Sequence, residues 1–414
     1  MVRGIGFEKL NSIQDALDKL LTSLKSLGVE HVDIFNSVGR VLAEDVFAPI
    51  DVPPFDRATM DGYACRAEDT FGADEVNPIS LNVTALMEAG VEPKVTIRSG
   101  EAVEIATGAV IPKGANAVVK VEDVRTRGDR IEVIRPVNIG ENVMFAGSDI
   151  MRGELLVRVG TILTHREIGL LAACGINKVK VYKKPKVAVI STGNELVQVG
   201  ERLTNGKIYS SNNPMICNAL RELNFEPINL GIARDNENEI TRKLENSLNY
   251  DAAIFTGGTS VGEKDLVPLV VERYGKILFH GVAMRPGQPT AAAIVDSKPI
   301  FMLPGSPAAA LLSFYVFVVP SLYRLMNIKI ILRKWSKVEG ELMDRIPSEI
   351  GIQSNVRVYW EKGKIYPIRI SGSGILTSFV KANALLEVPE NKEGYEKGEI
   401  VEVMLIRDIT EVCE

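Results

Sequence analysis

The chain has 414 residues, 46% of them hydrophobic and 24% charged, with a formal net charge of −5. That length exceeds what one hydrophobic core organises, so three or four domains are expected. The acidic balance argues against a nucleic-acid binder, and Cys65, Cys174, Cys217 and Cys413 show none of the C-x-x-C spacing of a zinc ribbon or redox centre.

His31, His165 and His280 are too scattered for a histidine-rich metal centre, and the dispersed thiols suit a reducing cytoplasm, the expected location. The first residues turn polar and amphipathic at once, so no signal peptide is expected. Phe7, Leu10, Ile13, Leu17, Leu20, Leu21 and Leu24 recur at helical spacing and predict a helix within residues 7–28, stopped at Gly28. Residues 47–146 carry short β-like runs ("ISLNVTALM", "AVEIAT", "AVVKVEDV", "RIEVIRPV") punctuated by Gly and Pro, as in a small inserted β domain. A helix predicted at 160–175 would rejoin the N-terminal helix after this insertion. Residues 1–46 and 147–183 would then form a discontinuous helical and linking domain.

From 184 to 331 apolar strand candidates ("KVAVIST", "PINLGIA", "DAAIFTG", "PIFMLPG") alternate with helical stretches. This pattern predicts an α/β domain with a mainly parallel sheet covered on both faces, its ligand beyond the C-terminal strand ends. The apolar run Ala308–Val319, closed by Pro320, is shorter than the ~20 residues of a membrane helix and is expected to be a buried core helix, with no membrane span. Residues 332–414 return to β-like alternation, as in a small barrel or sandwich.

Four strand ends carry unusual loops: Ser191-Thr192-Gly193-Asn194-Glu195, Arg234-Asp235, "FTGGTSVGEKD" ending at Asp265, and Pro304-Gly305-Ser306-Pro307. Asp235 could cap the helix near Asn236 or serve as acid or metal ligand; both readings stay open. Ser306 and Pro307 read as an N-cap with proline in the first turn, which leaves N–H groups directed outward toward an anion. Gly257 and Gly258 let a phosphate approach the backbone. Glu195, Asp235 and Asp265 offer hard oxygen donors suited to Mg²⁺, and Arg285 in "MRPGQP" is a nearby cation. The residues alone lead to a phosphate- or nucleotide-handling α/β domain. Upstream, "DVPPFDRATMDGYA" holds Asp61 in a dense turn, and Thr107-Gly108 follows a strand; a plain Pro-led turn explains the first equally well.

Taken in order, "PPFDRATMDGYA", "IATGAVIPKGANAVVKVED", "ISTGNELV", "FTGGTSVGEKD", "MRPGQP", "MLPGSPAAA" and "SGSGILTSFVKANALLEV" make the chain resemble the molybdopterin molybdenumtransferase family, which includes the E domain of gephyrin. The resemblance spans nearly the whole chain. It implies a C-terminal β-barrel and an elongated homodimer with the active cleft between chains. It implies insertion of molybdate or tungstate into adenylylated molybdopterin, with release of AMP and Mg²⁺ as cofactor. The resemblance marks Asp61, Thr107, Asp149, Glu195, Asp235 and Asp265 as functional polar positions; we assign Asp61, Thr107, Glu195, Asp235 and Asp265 to catalysis, the last three also as metal ligands. Asp149, Ser191, Thr192, Gly193, Asn212, Gly257, Gly258, Ser260, Gly262, Arg285, Pro304, Gly305, Ser306 and Pro307 are the implied substrate contacts. The chain departs from the family at Gly281 and Gln288, where lysines are usual, and at Asn194 and Ser306. Molybdopterin adenylyltransferase activity and a gephyrin-like scaffold role are the competing readings, and the adenylyltransferase is also a candidate partner.

Overall fold

The structure is a computed structural model that describes residues 10–258, 266–328, 336–368 and 376–406. The chain divides into two compact units, residues 1–30 with 182–414 and residues 31–181.

In the first unit six strands form one sheet in the order Glu226–Ala233, Lys186–Thr192, Ala252–Thr256, Lys298–Leu303, Ala291–Val295, Lys276–His280. The first four are parallel neighbours, and the last two joins are antiparallel. The central strands are buried on both faces, which is why they read as continuous apolar runs. Ala188, Ile190, Phe255 and Met302 meet Ile240 and Leu244 of helix Glu237–Ser247 and Val267, Val270 and Val271 of helix Leu266–Tyr274. Helix Asn212–Glu222 packs beside strands Lys186–Thr192 and Glu226–Ala233 and touches helix Pro307–Ser313.

The apolar helix is not closed at Pro320. It runs from Pro307 to Leu325, 19 residues, because a π-helical turn at Phe314–Val318 precedes the proline, whose missing N–H then falls in the first turn of the α-helix resuming at Val319. It is long and apolar enough to cross a membrane, yet 61% of its apolar window is buried inside the protein.

The N-terminal helix, Ile13–Ser23, also differs from expectation. It groups with the α/β body, packing on strand Lys276–His280 and on helix Val319–Leu325. Ala16, Leu20 and Leu24 are buried, and Asn11 is stitched to the sheet rim by Asn11 N–H to Gly281 O (3.1 Å) and Ala283 N–H to Asn11 O (2.8 Å). The amphipathic stripe called for a buried face without saying which surface covers it.

The C-terminal residues form a closed five-stranded barrel of Lys337–Leu342, Gln353–Glu361, Lys364–Pro367, Ala384–Val388 and Ile400–Leu405. Closure follows because Gln353–Glu361 pairs with both Lys364–Pro367 and Ala384–Val388. Strand Met284–Arg285 adds to this barrel in parallel, opposite Gln353 and Ser354, and so ties the "MRPGQP" loop to it.

The second unit holds a six-stranded sheet in the order Ala117–Lys120, Gly62–Cys65, Glu101–Ile105, Ile79–Met87, Arg130–Val133, Val124–Arg127. Either side of that insertion the chain rejoins, as Val46–Phe47 pairs with Leu155–Val157 and Leu42 bridges Val181. Helix His165–Ala173 begins in a reciprocal capping box of Thr164 and Glu167.

Phe255 is fully buried at the centre of the α/β core. Phe255→Ala is expected to cost about 3–5 kcal/mol, read as a lower urea midpoint of α/β-domain unfolding with unchanged m.

Candidate functional site

The C-terminal edge of the parallel sheet encloses a cavity of about 640 Å³. Ser191, Thr192, Gly193 and Glu195 enter from the first loop, Asp235 from the second, Gly257 and Gly258 from the third, and Gly305, Ser306 and Pro307 from the fourth. Asn212, at the start of its helix, completes the set. Eleven residues predicted from sequence thus converge on one hollow. Asp265, Ser260 and Gly262 lie outside the described residues.

Close backbone contact holds these loops together. Gly257 has φ +98°, and a Cβ there would fall 2.6 Å from the Thr192 carbonyl oxygen, so the position admits only glycine. Ser191 and Thr256 hydroxyls pair at 3.0 Å across adjacent strands, and Asn212 Nδ2 donates to Gly305 O at 2.8 Å. Three buried polar atoms on the cavity wall have no hydrogen-bond partner among the described residues: Thr192 Oγ1, Ser210 Oγ and Asn212 Oδ1. A buried polar atom left unpaired costs about 1–3 kcal/mol, so their convergence points to a polar ligand.

Asp235 does not cap the following helix. Asn236 does, its side chain accepting from Glu239 N–H. Asp235 instead exchanges hydrogen bonds with the first loop: Asn194 N–H donates to Asp235 Oδ2 (3.0 Å), and Asp235 N–H to Asn194 Oδ1 (3.1 Å). The Arg234 guanidinium donates to Leu196 O at 2.7 Å and also reaches Gly193 O and Asn194 O. Asn194, which departs from the family pattern, is therefore part of the scaffold beneath the carboxylates. Ser306 stands at the N-cap without a side-chain cap bond, so its hydroxyl is left to the cavity. Among the described residues no group of three His, Cys, Asp or Glu forms a complete metal site.

A neighbouring cavity of about 860 Å³ lies between the "MRPGQP" loop and the barrel, and Ser306 lines both hollows. Arg285, Gln288 and Pro304 line this second cavity, so Arg285 is not in the strand-end pocket where its sequence context pointed. Its guanidinium is held bidentately by Glu349, at 2.9 and 3.1 Å. Sequence reasoning missed Arg345, Asn355 and Arg357 here. Asn355 Nδ2 and Arg357 Nε are buried without hydrogen-bond partners among the described residues, and burial pulls the Arg357 pKa down. It also missed Ser210, although the polar run Ser210-Ser211-Asn212 before a helix was a signal for it.

In the second unit Asp61 and Thr107 form one clasp. Asp61 Oδ1 accepts from the Thr107 N–H and from its hydroxyl, both at 2.7 Å. The adjacent Gly62 is required by close approach, since a Cβ would lie 2.0 Å from Val119 O. Asp149 belongs to the same unit, its N–H donating to Val52 O at 3.0 Å.

Known proteins align with this architecture part by part. Residues 11–175 match the family description MoeA N-terminal region (domain I and II), residues 188–324 match the probable molybdopterin binding domain, and residues 339–406 match the MoeA C-terminal region (domain IV). A molybdopterin molybdenumtransferase of Staphylococcus epidermidis is 32% identical over 400 residues, covering 95% of each chain. Two crystal structures of molybdopterin biosynthesis MoeA proteins from Pyrococcus horikoshii superpose with TM-scores of 0.85 and 0.78 at 42% and 39% identity. They cover 97% and 96% of this chain and 100% of their own.

The Thr107 backbone N–H, and then its hydroxyl, hold the Asp61 carboxyl below the usual aspartate range. The stability this clasp contributes is present above the ordinary aspartate pKa and is lost as pH falls through the lowered one. In a carboxyl ¹³C titration Thr107→Val is expected to raise the Asp61 midpoint without restoring the ordinary value, because the stronger backbone donor remains.

Proposed function

Because the chain belongs to the MoeA family of molybdopterin molybdenumtransferases, enzymes of molybdenum cofactor biosynthesis, we propose how its two cavities divide that reaction. The strand-end cavity binds adenylylated molybdopterin. The adjoining arginine-lined cavity binds the metal oxyanion, molybdate or tungstate. The shared Pro304–Pro307 loop brings the two together: the metal passes from the oxyanion to molybdopterin, a displaced oxo group leaving as water after protonation, and water cleaves the phosphoanhydride to release AMP.

The carrying observation is the convergence of Thr192 Oγ1, Ser210 Oγ and Asn212 Oδ1, all buried and unpaired, on one glycine-walled hollow. These atoms and the backbone beside Gly257 and Gly258 orient the polar part of the substrate. Arg357 and Asn355 supply unpaired donors to a tetrahedral dianion, with Ser306 between the two ligands. A planar guanidinium suits an oxyanion well, since it presents two N–H groups in one plane.

The donor set also fits Mg²⁺. Glu195 and Asp235 are hard carboxylates facing a polar cavity where phosphate oxygens and water can complete the shell. Asp265 is the third carboxylate that the family resemblance implies. Mg²⁺, when bound, neutralises phosphate charge. Asp235 meanwhile keeps the Asn194 N–H and so fixes the loop carrying Glu195.

Asp61 and Thr107 act, in this reading, on the site of a second chain in a homodimer, which accounts for a preformed polar clasp so far along the sequence from the strand-end loops. A reducing cytoplasm keeps the buried Cys65, Cys174 and Cys217 as thiols.

The purified protein, given adenylylated molybdopterin with molybdate or tungstate, is expected to release AMP, whereas ATP with molybdopterin yields no adenylylated product. The reverse pattern in a nucleotide chromatography assay overturns the reading. Glu195→Gln is expected to lower turnover roughly 10²–10⁴-fold. Mixing Glu195→Gln chains with Asp61→Asn chains should restore part of the activity, and no recovery after confirmed subunit exchange removes the shared-site arrangement.

A further inference from the structure

Three arginines line the second cavity, and their partners are unequal. Arg345 Nε lies 3.0 Å from Glu396, and Arg285 is bound through both terminal nitrogens by Glu349. Arg357 has no carboxylate partner among the described residues; its guanidinium stands over the Phe379 ring, 5.8 Å from the centroid. Only one of the three cations is therefore open to an incoming anion without an exchange of partners.

The Arg285–Glu349 pair is built for exchange. Two carboxylate oxygens meet two N–H groups of one guanidinium, the fork that two oxygens of a tetrahedral oxyanion can also occupy. Both side chains are well exposed, 54% and 62%, so the pair is weak and opens at low cost. Its backbones, by contrast, are anchored. Arg285 is registered against Ser354, Ser348 N–H donates to Glu393 O at 2.8 Å, and Gly351 N–H donates to Glu390 O at 2.7 Å. The Glu349 carboxylate can swing away without the loop moving. Arg285 in turn holds the Glu349 carboxyl below the usual glutamate range, so it stays charged and competitive at neutral pH.

We propose that Glu349 is a built-in competitor for the metal oxyanion: its carboxylate occupies the Arg285 fork in the empty enzyme, and the oxyanion binds by displacing it. Glu349 thereby sets the affinity threshold of the second cavity and keeps Arg285 neutralised when no anion is bound. This rests on the reading that the second cavity takes the oxyanion.

The test is calorimetric titration of the full chain with molybdate at low ionic strength. Glu349→Gln is expected to bind about two- to fivefold more tightly than the wild type, the range of one exposed ion pair. Glu402→Gln removes the same charge from a barrel pair, Lys337–Glu402, outside the cavity wall and is expected to leave affinity unchanged. In an Arg285→Gln background the gain from Glu349→Gln should vanish. A Glu349→Gln affinity no tighter than that of Glu402→Gln, or an undiminished gain without Arg285, overturns the proposal. If Arg357→Gln and Arg285→Gln weaken molybdate binding while Glu349→Gln does nothing, the cavity assignment stands and the competitor role falls. If neither arginine substitution changes binding, the oxyanion sits elsewhere and both fall.

Discussion

The site depends on how closely three backbone loops approach at the C-terminal edge of the sheet. A Cβ on Gly305 would lie 3.4 Å from the Gly257 Cα, and one on Gly257 would lie 2.6 Å from the Thr192 carbonyl oxygen. At such separations no water fits between the loops, and their polar atoms must find one another or face the cavity. Some are paired within the wall, as Ser191 with Thr256 and Asn212 with Gly305. Others, Thr192 Oγ1 and Asn212 Oδ1, have no partner among the described residues. The unpaired atoms thus follow from the packing that positions them.

Charge is distributed unevenly about this edge. The strand-end cavity carries the carboxylates Glu195 and Asp235, and its neighbour carries Arg285, Arg345 and Arg357. Between them runs Pro304–Pro307, whose Ser306 lines both spaces. An acidic wall suits a cation-bridged phosphate, and a basic wall suits a small dianion. A single hollow holding both sets would neutralise itself through internal ion pairs. Glu349 on Arg285 and Glu396 on Arg345 show that tendency already at work on the basic side.

Much of this was legible in the residue order because it is local. Continuous apolar strands follow from burial on two faces, and the helices between them follow from apolar spacing. The glycine pair at 257–258 and the Ser-Pro at 306–307 mark backbone conformations that few residues adopt. What local spacing left open or missed were choices among competing partners. Asp235 and Asn236 are both good caps, and only the position of the Asn194 loop decides that Asn236 caps while Asp235 turns to Asn194. Pro320 reads as a helix stop, yet the π-helical turn before it lets the helix continue. The stripe of Ala16, Leu20 and Leu24 demands a buried face, and the α/β body supplies it.

By itself the sequence determined the family and the strand-end loops that line the cavity, since each is written in spacing or in residue types with one conformational use. Tertiary structure alone decided which loops share a hollow and which charges are already spent. Arg285 and Glu349 are 64 positions apart, and nothing local couples them. Their pairing exists because strand Met284–Arg285 joins the barrel beside Gln353 and Ser354, and long-range pairing of that kind is set by the packing of whole domains.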